Sequence, residues 1–423
     1  MEKFIINGGK SLNGAVSISG MKNSALPVLF GTILTNDICI IENLPNISDV
    51  RVSLDILASI GASIKLLNST TIVIDTTGVK PKSPPLELVS KLRASYYLLG
   101  AMLGRFGQAQ VGQPGGCDFG NGRPIDQHIR GFEQLGARVS YESNAAITLT
   151  ATNGLKGSFI YFDIASVGAT INIMYAAAFA EGTTVIENAA REPHIVDVAC
   201  FLNACGANIT GAGTTTIRIK GVKKIKGCTY CIAPDMIEAG TYMIAGAITK
   251  GTVRVDNVVP KHMEAITAKL KEANVPLEIG DSYITVLPAE NLRCVAIKAN
   301  PYPGLPTDMQ PQFSTLMTVA NGMCTVSDGI YSSRFKYTEH LKNMGANIEY
   351  DERRALLQIF GVCELHGATV KAPDLRAGAA LILAGLAAKG TTTVTNVELV
   401  ERGYDHIIEK LLSLGADIKK ERF

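Results

Sequence analysis

The stretch Leu57-Ala-Ser-Ile-Gly61-Ala-Ser-Ile-Lys-Leu66 reads as the last turn of a helix, a break, and the start of a strand. Gly61 suits the position just past a helix C-terminus, where the backbone turns left-handed and a Cβ is penalised. The alternation Ala62, Ile64, Leu66 then begins a pleated strand. The phrase returns as FEQLGARVSY (132–141), FLNACGANIT (201–210), LKEANVPLEI (270–279), LKNMGANIEY (341–350) and LLSLGADIKK (411–420). Its pivots, Gly61, Gly136, Gly206, Asn274, Gly345 and Gly415, are 75, 70, 68, 71 and 70 residues apart. The one exception to glycine is Asn, the other residue that tolerates this conformation.

A second phrase keeps the same rhythm: FGTILTNDICIIEN, LGRFGQAQVGQ, AFAEGTTVIEN, AITKGTVRVDN, TVANGMCTVSD and LAAKGTTTVTN each run from an apolar helix through a turn into a β-rich run. Between the two phrases there is room for one strand and one amphipathic helix, whose apolar residues in the first copy are Val52, Leu54, Leu57 and Ile60. The unit is therefore helix, strand, helix, strand, strand, repeated six times with a period of about 70 residues. The Ala-rich helices are apolar on every side, which predicts helices inside a shell of sheet. Three units per domain gives an α/β protein of two similar domains. The rhythm breaks at Gly20-Met21-Lys22-Asn23 and Ala233-Pro234-Asp235. The first domain is expected over 22–233 and the second over 1–21 with 234–423, the first strand returning to the second domain.

Composition narrows the function. Of 423 residues, 47% are hydrophobic and 18% charged, which excludes a disordered chain. A net charge of +2 provides no bulk attraction to nucleic acid or to an anionic membrane, so neither is an expected partner. The N-terminal sequence lacks the apolar core of a signal peptide, and apolar runs such as 377–388 are too short to span a bilayer; a cytoplasmic protein is expected. Nine scattered cysteines read as reduced thiols. The six histidines have no metal-ligand spacing, so no metal is expected and all six read as structural or surface. Gly9-Lys10-Ser11 lacks the earlier glycine of a P-loop, where Phe4 stands, and Gly120-Asn-Gly122 has Ile125 where a dinucleotide fingerprint needs glycine.

The remaining motifs carry chemistry. Pro114-Gly-Gly-Cys117-Asp-Phe-Gly-Asn-Gly-Arg123-Pro124-Ile125-Asp126-Gln127 places a thiol and a guanidinium on one Gly-rich loop, where the cation favours a reactive thiolate. Ser166-Val167-Gly168 immediately precedes a helix expected over Ala169 to Ala180, so its N–H groups suit an anion, although Ser is also an ordinary N-cap. Lys22 and Asn23 follow Gly20 at a domain junction, and Arg93, Arg334, Arg376 and Arg402 stand at element edges. Arginines that precede helices oppose the dipole and suit a bound anion. Asp308, after Pro306-Thr307, is either an N-cap or a functional carboxylate.

In order along the chain, Ser19-Gly-Met-Lys22-Asn23-Ser-Ala-Leu-Pro27, Pro114-Gly-Gly-Cys117, Arg123-Pro-Ile-Asp126, Ser166-Val-Gly-Ala-Thr170, Glu187-Asn-Ala-Ala-Arg-Glu-Pro193, Pro306-Thr-Asp308-Met-Gln and Asp374-Leu-Arg376 resemble the motif set of the enolpyruvyl transferase family, most of all the branch whose acceptor is UDP-N-acetylglucosamine. The resemblance covers essentially the whole chain. It implies the family's two-domain inside-out α/β barrel closing on substrates between the domains, no cofactor, and a monomer or weak homo-oligomer. It implies transfer of the enolpyruvyl group of phosphoenolpyruvate to the sugar 3′-hydroxyl, through a tetrahedral ketal, in peptidoglycan precursor synthesis.

Residue by residue, the resemblance assigns Cys117 as proton donor to C3 and target of the covalent inhibitor fosfomycin, and Asp308 as base on the sugar hydroxyl. Lys22, Asn23, Arg123 and Arg402 would hold phosphoenolpyruvate, Lys22 and Arg402 being counted among the catalytic residues. Asn23, Arg93, Arg123, Pro124, Ile125, Asp126, Gln127, Val167, Gly168, Asp308 and Ile330 would contact the nucleotide sugar, with Arg334, Asp374 and Arg376 in support. The alternatives are transfer to shikimate 3-phosphate and a non-catalytic nucleotide-sugar sensor; the retained Lys22, Cys117 and Asp308 argue against the sensor.

Overall fold

In the computed structural model of the chain, residues 2–115, 124–141, 146–362 and 364–422 are described. They fall into two units, one built from those within 2–19 and 234–422 and one from those within 20–115 and 124–233. Both units show the predicted order of elements. In the first repeat the helix Lys22–Gly31 leads to strand Ile38–Glu42, helix Ser48–Ser59 and strands Ser63–Leu66 and Ile72–Asp75. All six pivots adopt positive φ: Gly61 at 112°, Gly136 at 93°, Gly206 at 102°, Asn274 at 63°, Gly345 at 93° and Gly415 at 90°.

The Ala-rich helices are the cores. Every residue of Met236–Ile248 is buried, as is every residue of Leu375–Ala387 up to Leu386. In the other unit Ala169 through Ala177 of helix Val167–Ala177 are all buried. Among the described residues no helix is long and apolar enough to cross a membrane.

Each unit carries three of the six sheets formed by the described residues. In five of them a further short strand lies parallel to the first strand of the repeat: Thr229–Cys231 beside Ile38–Glu42, Phe159–Tyr161 beside Thr183–Glu187, Asn13–Ser17 beside Thr252–Asp256, Ile297–Ala299 beside Met323–Asp328, and Thr369–Lys371 beside Thr391–Thr395. The N-terminal strand Glu2–Asn7 supplies the missing strand of the last repeat, antiparallel to both Thr391–Thr395 and Asp417–Arg422, with Phe4 and Ile6 fully buried.

A recurring asparagine locks the parallel strand in place. Asn43, Asn188, Asn257 and Asn396 follow the first strand of their repeats in the left-handed region. Each donates its side-chain amide to a carbonyl just past the parallel strand: Ile232 at 2.8 Å, Phe162 at 2.8 Å, Ile18 at 2.7 Å and Ala372 at 3.0 Å. The second and fifth repeats have Gln113 and Asp328 in that place. Asp328 cannot donate; it accepts instead from the N–H groups of Ile330 and Tyr331, both at 2.8 Å.

Of the expected face of the first amphipathic helix, Leu57 and Ile60 are fully buried and the other two residues are not. Helix Ser48–Ser59 buries Asp49, Val50, Ser53, Ile56 and Leu57, whereas Val52 and Leu54 are only partly covered. Asp49 turns inward, where it meets Lys22.

Candidate active site

The unit 20–233 holds one set of the expected residues. Lys22 is the first residue of its helix, and its Nζ lies 2.8 Å from Asp49 Oδ2, with side-chain exposures of 12% and 6%. Asn23 follows in the same turn. Arg93 opens the 3-10 turn Arg93–Tyr96, and its guanidinium carbon is 5.5 Å from the Tyr96 ring centroid.

Two helix starts meet near Arg93 and Tyr96. Asp126 begins helix Asp126–Gln134; the Gln127 amide donates to Asp126 at 2.9 Å and its oxygen accepts from the Asp163 N–H at 3.2 Å. Ser166 caps helix Val167–Ala177, its hydroxyl oxygen accepting from the Ala169 N–H at 3.3 Å. The N-cap reading of Ser166 therefore holds. Gly168 needs its missing side chain, because a Cβ there would come within 2.6 Å of His128 Nε2.

His128 was not among the expected site residues, having no metal-ligand spacing to distinguish it. It is 6% exposed, and its Nδ1 has no hydrogen-bond partner among the described residues. Burial, and then the Arg93 charge, push its pKa down to about 4, with Asp126 opposing. The imidazole is neutral at physiological pH. A depressed folded value means that stability is full above the unfolded His value of about 6.5 and is lost as pH falls toward 4, by up to about 3 kcal/mol. Denaturant titrations from pH 7 to 4 are expected to show this slope in the wild-type chain and to lose it in His128→Asn; equal slopes would contradict it.

The other unit holds the second set. Asp308 lies in the 3-10 turn Thr307–Met309 ahead of helix Gln310–Met317. It does not cap that helix, which corrects the N-cap alternative. Its Oδ1 accepts from Arg334 Nη1 at 2.9 Å and its Oδ2 from Arg376 Nε at 3.1 Å. Arg334 and Arg376 are 4% and 1% exposed, so neither is a solvated surface arginine. Burial of Asp308 opposes ionisation, but the two guanidiniums outweigh it and hold the carboxyl far below its ordinary range.

Asp374 completes a quartet with these three, and surrounding contacts fix it. Asp374 caps helix Leu375–Ala387 through the N–H groups of Arg376 at 2.9 Å and Ala377 at 3.1 Å, and lies 3.6 Å from Arg334 Nη2. Thr307 donates to Asp328 Oδ2 at 2.5 Å, which ties the Asp308 turn to the segment presenting Ile330. Arg376 packs over the Tyr404 ring at 5.3 Å, and the Tyr404 hydroxyl is 2.9 Å from Thr241 and 3.2 Å from Gln312. Arg402, half-buried, stands two residues before that anchor. Asp308, Ile330, Arg334, Asp374, Arg376 and Arg402 thus share one unit, and Lys22, Asn23, Arg93, Pro124 to Gln127, Val167 and Gly168 share the other. Cys117 and Arg123 lie outside the described residues.

In one unit two buried arginines align on a carboxylate, and in the other a lysine does so; each arrangement suits an anionic ligand. The family of EPSP synthase (3-phosphoshikimate 1-carboxyvinyltransferase) matches residues 6–411, and the chain belongs to this family. Within it, the chain is 50% identical over 423 residues, all of both chains, to UDP-N-acetylglucosamine 1-carboxyvinyltransferase 2 of Clostridium acetobutylicum. It is 53% identical over 420 residues, 99% of both chains, to UDP-N-acetylglucosamine 1-carboxyvinyltransferase of Clostridium botulinum. Among solved structures, the enolpyruvyl transferase NikO from Streptomyces tendae superposes with a TM-score of 0.90 at 26% identity, over 99% of this chain and 98% of that one. EPSP synthase from Acinetobacter baumannii shares the fold with a TM-score of 0.75 at 19% identity, over the whole of both chains.

Proposed function

We propose that the chain transfers the enolpyruvyl group of phosphoenolpyruvate to the 3′-hydroxyl of UDP-N-acetylglucosamine and releases phosphate, the committed step toward peptidoglycan precursors. The observation that carries this reading is the 50% identity over the full length of a relative named for that transfer. Both substrates are anionic and membrane-impermeant, which fits a reaction in the cytoplasm.

The chemistry is addition followed by elimination. As the hydroxyl oxygen bonds to C2 of phosphoenolpyruvate, C3 takes a proton; the tetrahedral ketal then loses phosphate and a C3 proton. Lys22, Arg123 and Arg402 are proposed to hold the phosphate and carboxylate, where charge-assisted hydrogen bonds act most strongly. Asp308 enters as an ionised acceptor. A carboxylate held so far below neutral pH is a weak base toward a ground-state alcohol. It takes the proton once the hydroxyl oxygen has begun to bond to C2 and has become strongly acidic. Cys117 is proposed as proton donor to C3, and Arg93, Pro124 to Gln127, Val167 and Gly168 as the cradle of the nucleotide.

Phosphate release from phosphoenolpyruvate, measured with each acceptor, tests the choice of substrate. Release is expected with UDP-N-acetylglucosamine and not with shikimate 3-phosphate; the reverse would assign the chain to the other branch. Fosfomycin is expected to add one covalent equivalent to the intact chain and none to Cys117→Ser, by mass spectrometry. Labelling of that variant would remove the thiol from its proposed role.

A further inference from the structure

Three thiols that the proposed reaction does not use gather in the unit 20–233. Cys39, in strand Ile38–Glu42, is fully buried. Cys205 ends the helix Pro193–Ala204 and is 3% exposed. Cys228, just before strand Thr229–Cys231, is half-buried and is the one of the three that solvent reaches. The Cys205 and Cys228 sulfurs are 3.3 Å apart, and the Lys226 N–H donates to the Cys205 carbonyl at 2.8 Å, which pins the two backbones side by side. A disulfide measures about 2.0 Å between sulfurs, so little more than 1 Å of approach closes the pair.

Cys228-Thr-Tyr-Cys231 has the C-x-x-C spacing of redox motifs, which corrects the expectation of scattered cysteines with no such pair. Here it runs into a strand, where residues three apart point to opposite faces. Cys231 is exposed, and its sulfur lies 3.9 Å from the Ile232 carbonyl. The partner of Cys228 across space is Cys205.

We infer that Cys205 and Cys228 are a peroxide-reactive dithiol that closes reversibly to a disulfide. The inference rests on this unit alone and stands apart from the proposed transfer reaction. In the first step the Cys228 thiolate attacks one peroxide oxygen, the O–O bond breaks, and hydroxide leaves, giving a sulfenic acid. In the second step Cys205 attacks that sulfur, the S–O bond breaks, and hydroxide leaves while Cys205 gives up its proton. Two thiols are oxidised by two electrons and one peroxide is reduced to two waters. Hydrogen bonding with Cys205 pulls the Cys228 thiol below its ordinary value, against the effect of burial, while Cys205 is pushed up by its hydrogen bonds with Cys228 and Cys39. Cys39 is also held low by Cys205 but is fully buried, so accessibility makes Cys228 the attacking thiolate and Cys205 the resolving thiol.

The test is to treat the full chain with equimolar hydrogen peroxide, alkylate it under denaturing conditions, and digest it with trypsin. The expected product links peptide 192–218 to peptide 227–250, disappears on reduction, and shows fragment ions that place the bond at Cys205 and Cys228. The link should be absent in Cys205→Ser and Cys228→Ser and retained in Cys39→Ser and Cys231→Ser. The oxidised chain should unfold a few degrees higher than the reduced chain, since the bond closes a loop of the unfolded state. Recovery of both cysteines alkylated, or only as sulfinic and sulfonic acids, would overturn the inference. So would a link assigned by fragment ions to Cys200, Cys231 or Cys39. Fragment assignment in the wild-type chain decides the matter even where a variant fails to fold.

Discussion

Asp308→Ala is expected to lower kcat by about 10²- to 10⁴-fold, the usual range for a positioned proton acceptor, and to destabilise the unit that carries it by about 3 kcal/mol. The second effect follows from the arginines. Asp308 satisfies guanidiniums that are 4% and 1% exposed, and its removal leaves two buried cations facing each other. Asp308→Asn separates the roles, because an amide oxygen still accepts from one arginine but takes no proton. It should recover part of the stability and none of the rate. The acid limb of stability reports on the same group: a depressed carboxyl contributes stability above about pH 4 that is lost as pH falls through its folded value, so Asp308→Asn should flatten that limb. Denaturant midpoints with steady-state rates provide both readouts. A variant with unchanged kcat would remove Asp308 from the reaction, and unchanged stability would contradict the buried quartet.

Lys22→Ala should reduce kcat/KM for phosphoenolpyruvate by about 10²-fold, the loss of one or two charge-assisted hydrogen bonds to an oxyanion. It should leave KM for the nucleotide sugar much less affected. A purely structural role predicts something else. If Lys22 served only to neutralise Asp49, its partner at 2.8 Å, then Asp49→Asn would match Lys22→Ala in every parameter. The proposed role predicts a small effect for Asp49→Asn, which keeps the cation and an acceptor for it. Lys22→Arg should not restore full activity, since a planar fork cannot replace a compact ammonium held by one carboxylate. Equal losses in Lys22→Ala and Asp49→Asn would refute the role.

The repeat made the fold readable because each pivot needs a left-handed residue and each central helix is apolar all round, and both are visible in single letters. The parallel edge strands were not readable. Phe159–Tyr161, Thr229–Cys231, Ile297–Ala299 and Thr369–Lys371 are three residues each, too short to show a period of two. The inward turn of Asp49 escaped for another reason, since a buried carboxylate on an amphipathic helix makes sense only once Lys22 is seen opposite. Burial of Arg334 and Arg376 likewise depends on a partner 26 and 68 residues away.

A subtler signal was present in the repeat. Asn43, Asn188, Asn257 and Asn396 mark the end of the first strand in four repeats, and the two that depart, at Gln113 and Asp328, precede the segments carrying Cys117 and Ile330. In the fifth repeat the Asp328 side chain holds the Ile330 backbone and the Thr307 hydroxyl, while its backbone still pairs with the parallel strand Ile297–Ala299. His128 gave no such mark, and its place beside Gly168 emerges only from the packing of two helix starts.

The most direct test is to identify the product. Incubation of the chain with phosphoenolpyruvate and UDP-N-acetylglucosamine, followed by proton and phosphorus NMR, should show one equivalent of inorganic phosphate per equivalent of a nucleotide sugar bearing a vinyl ether at the 3′-oxygen. Unchanged nucleotide sugar, whether or not phosphate is released by folded protein, would contradict the proposed transfer.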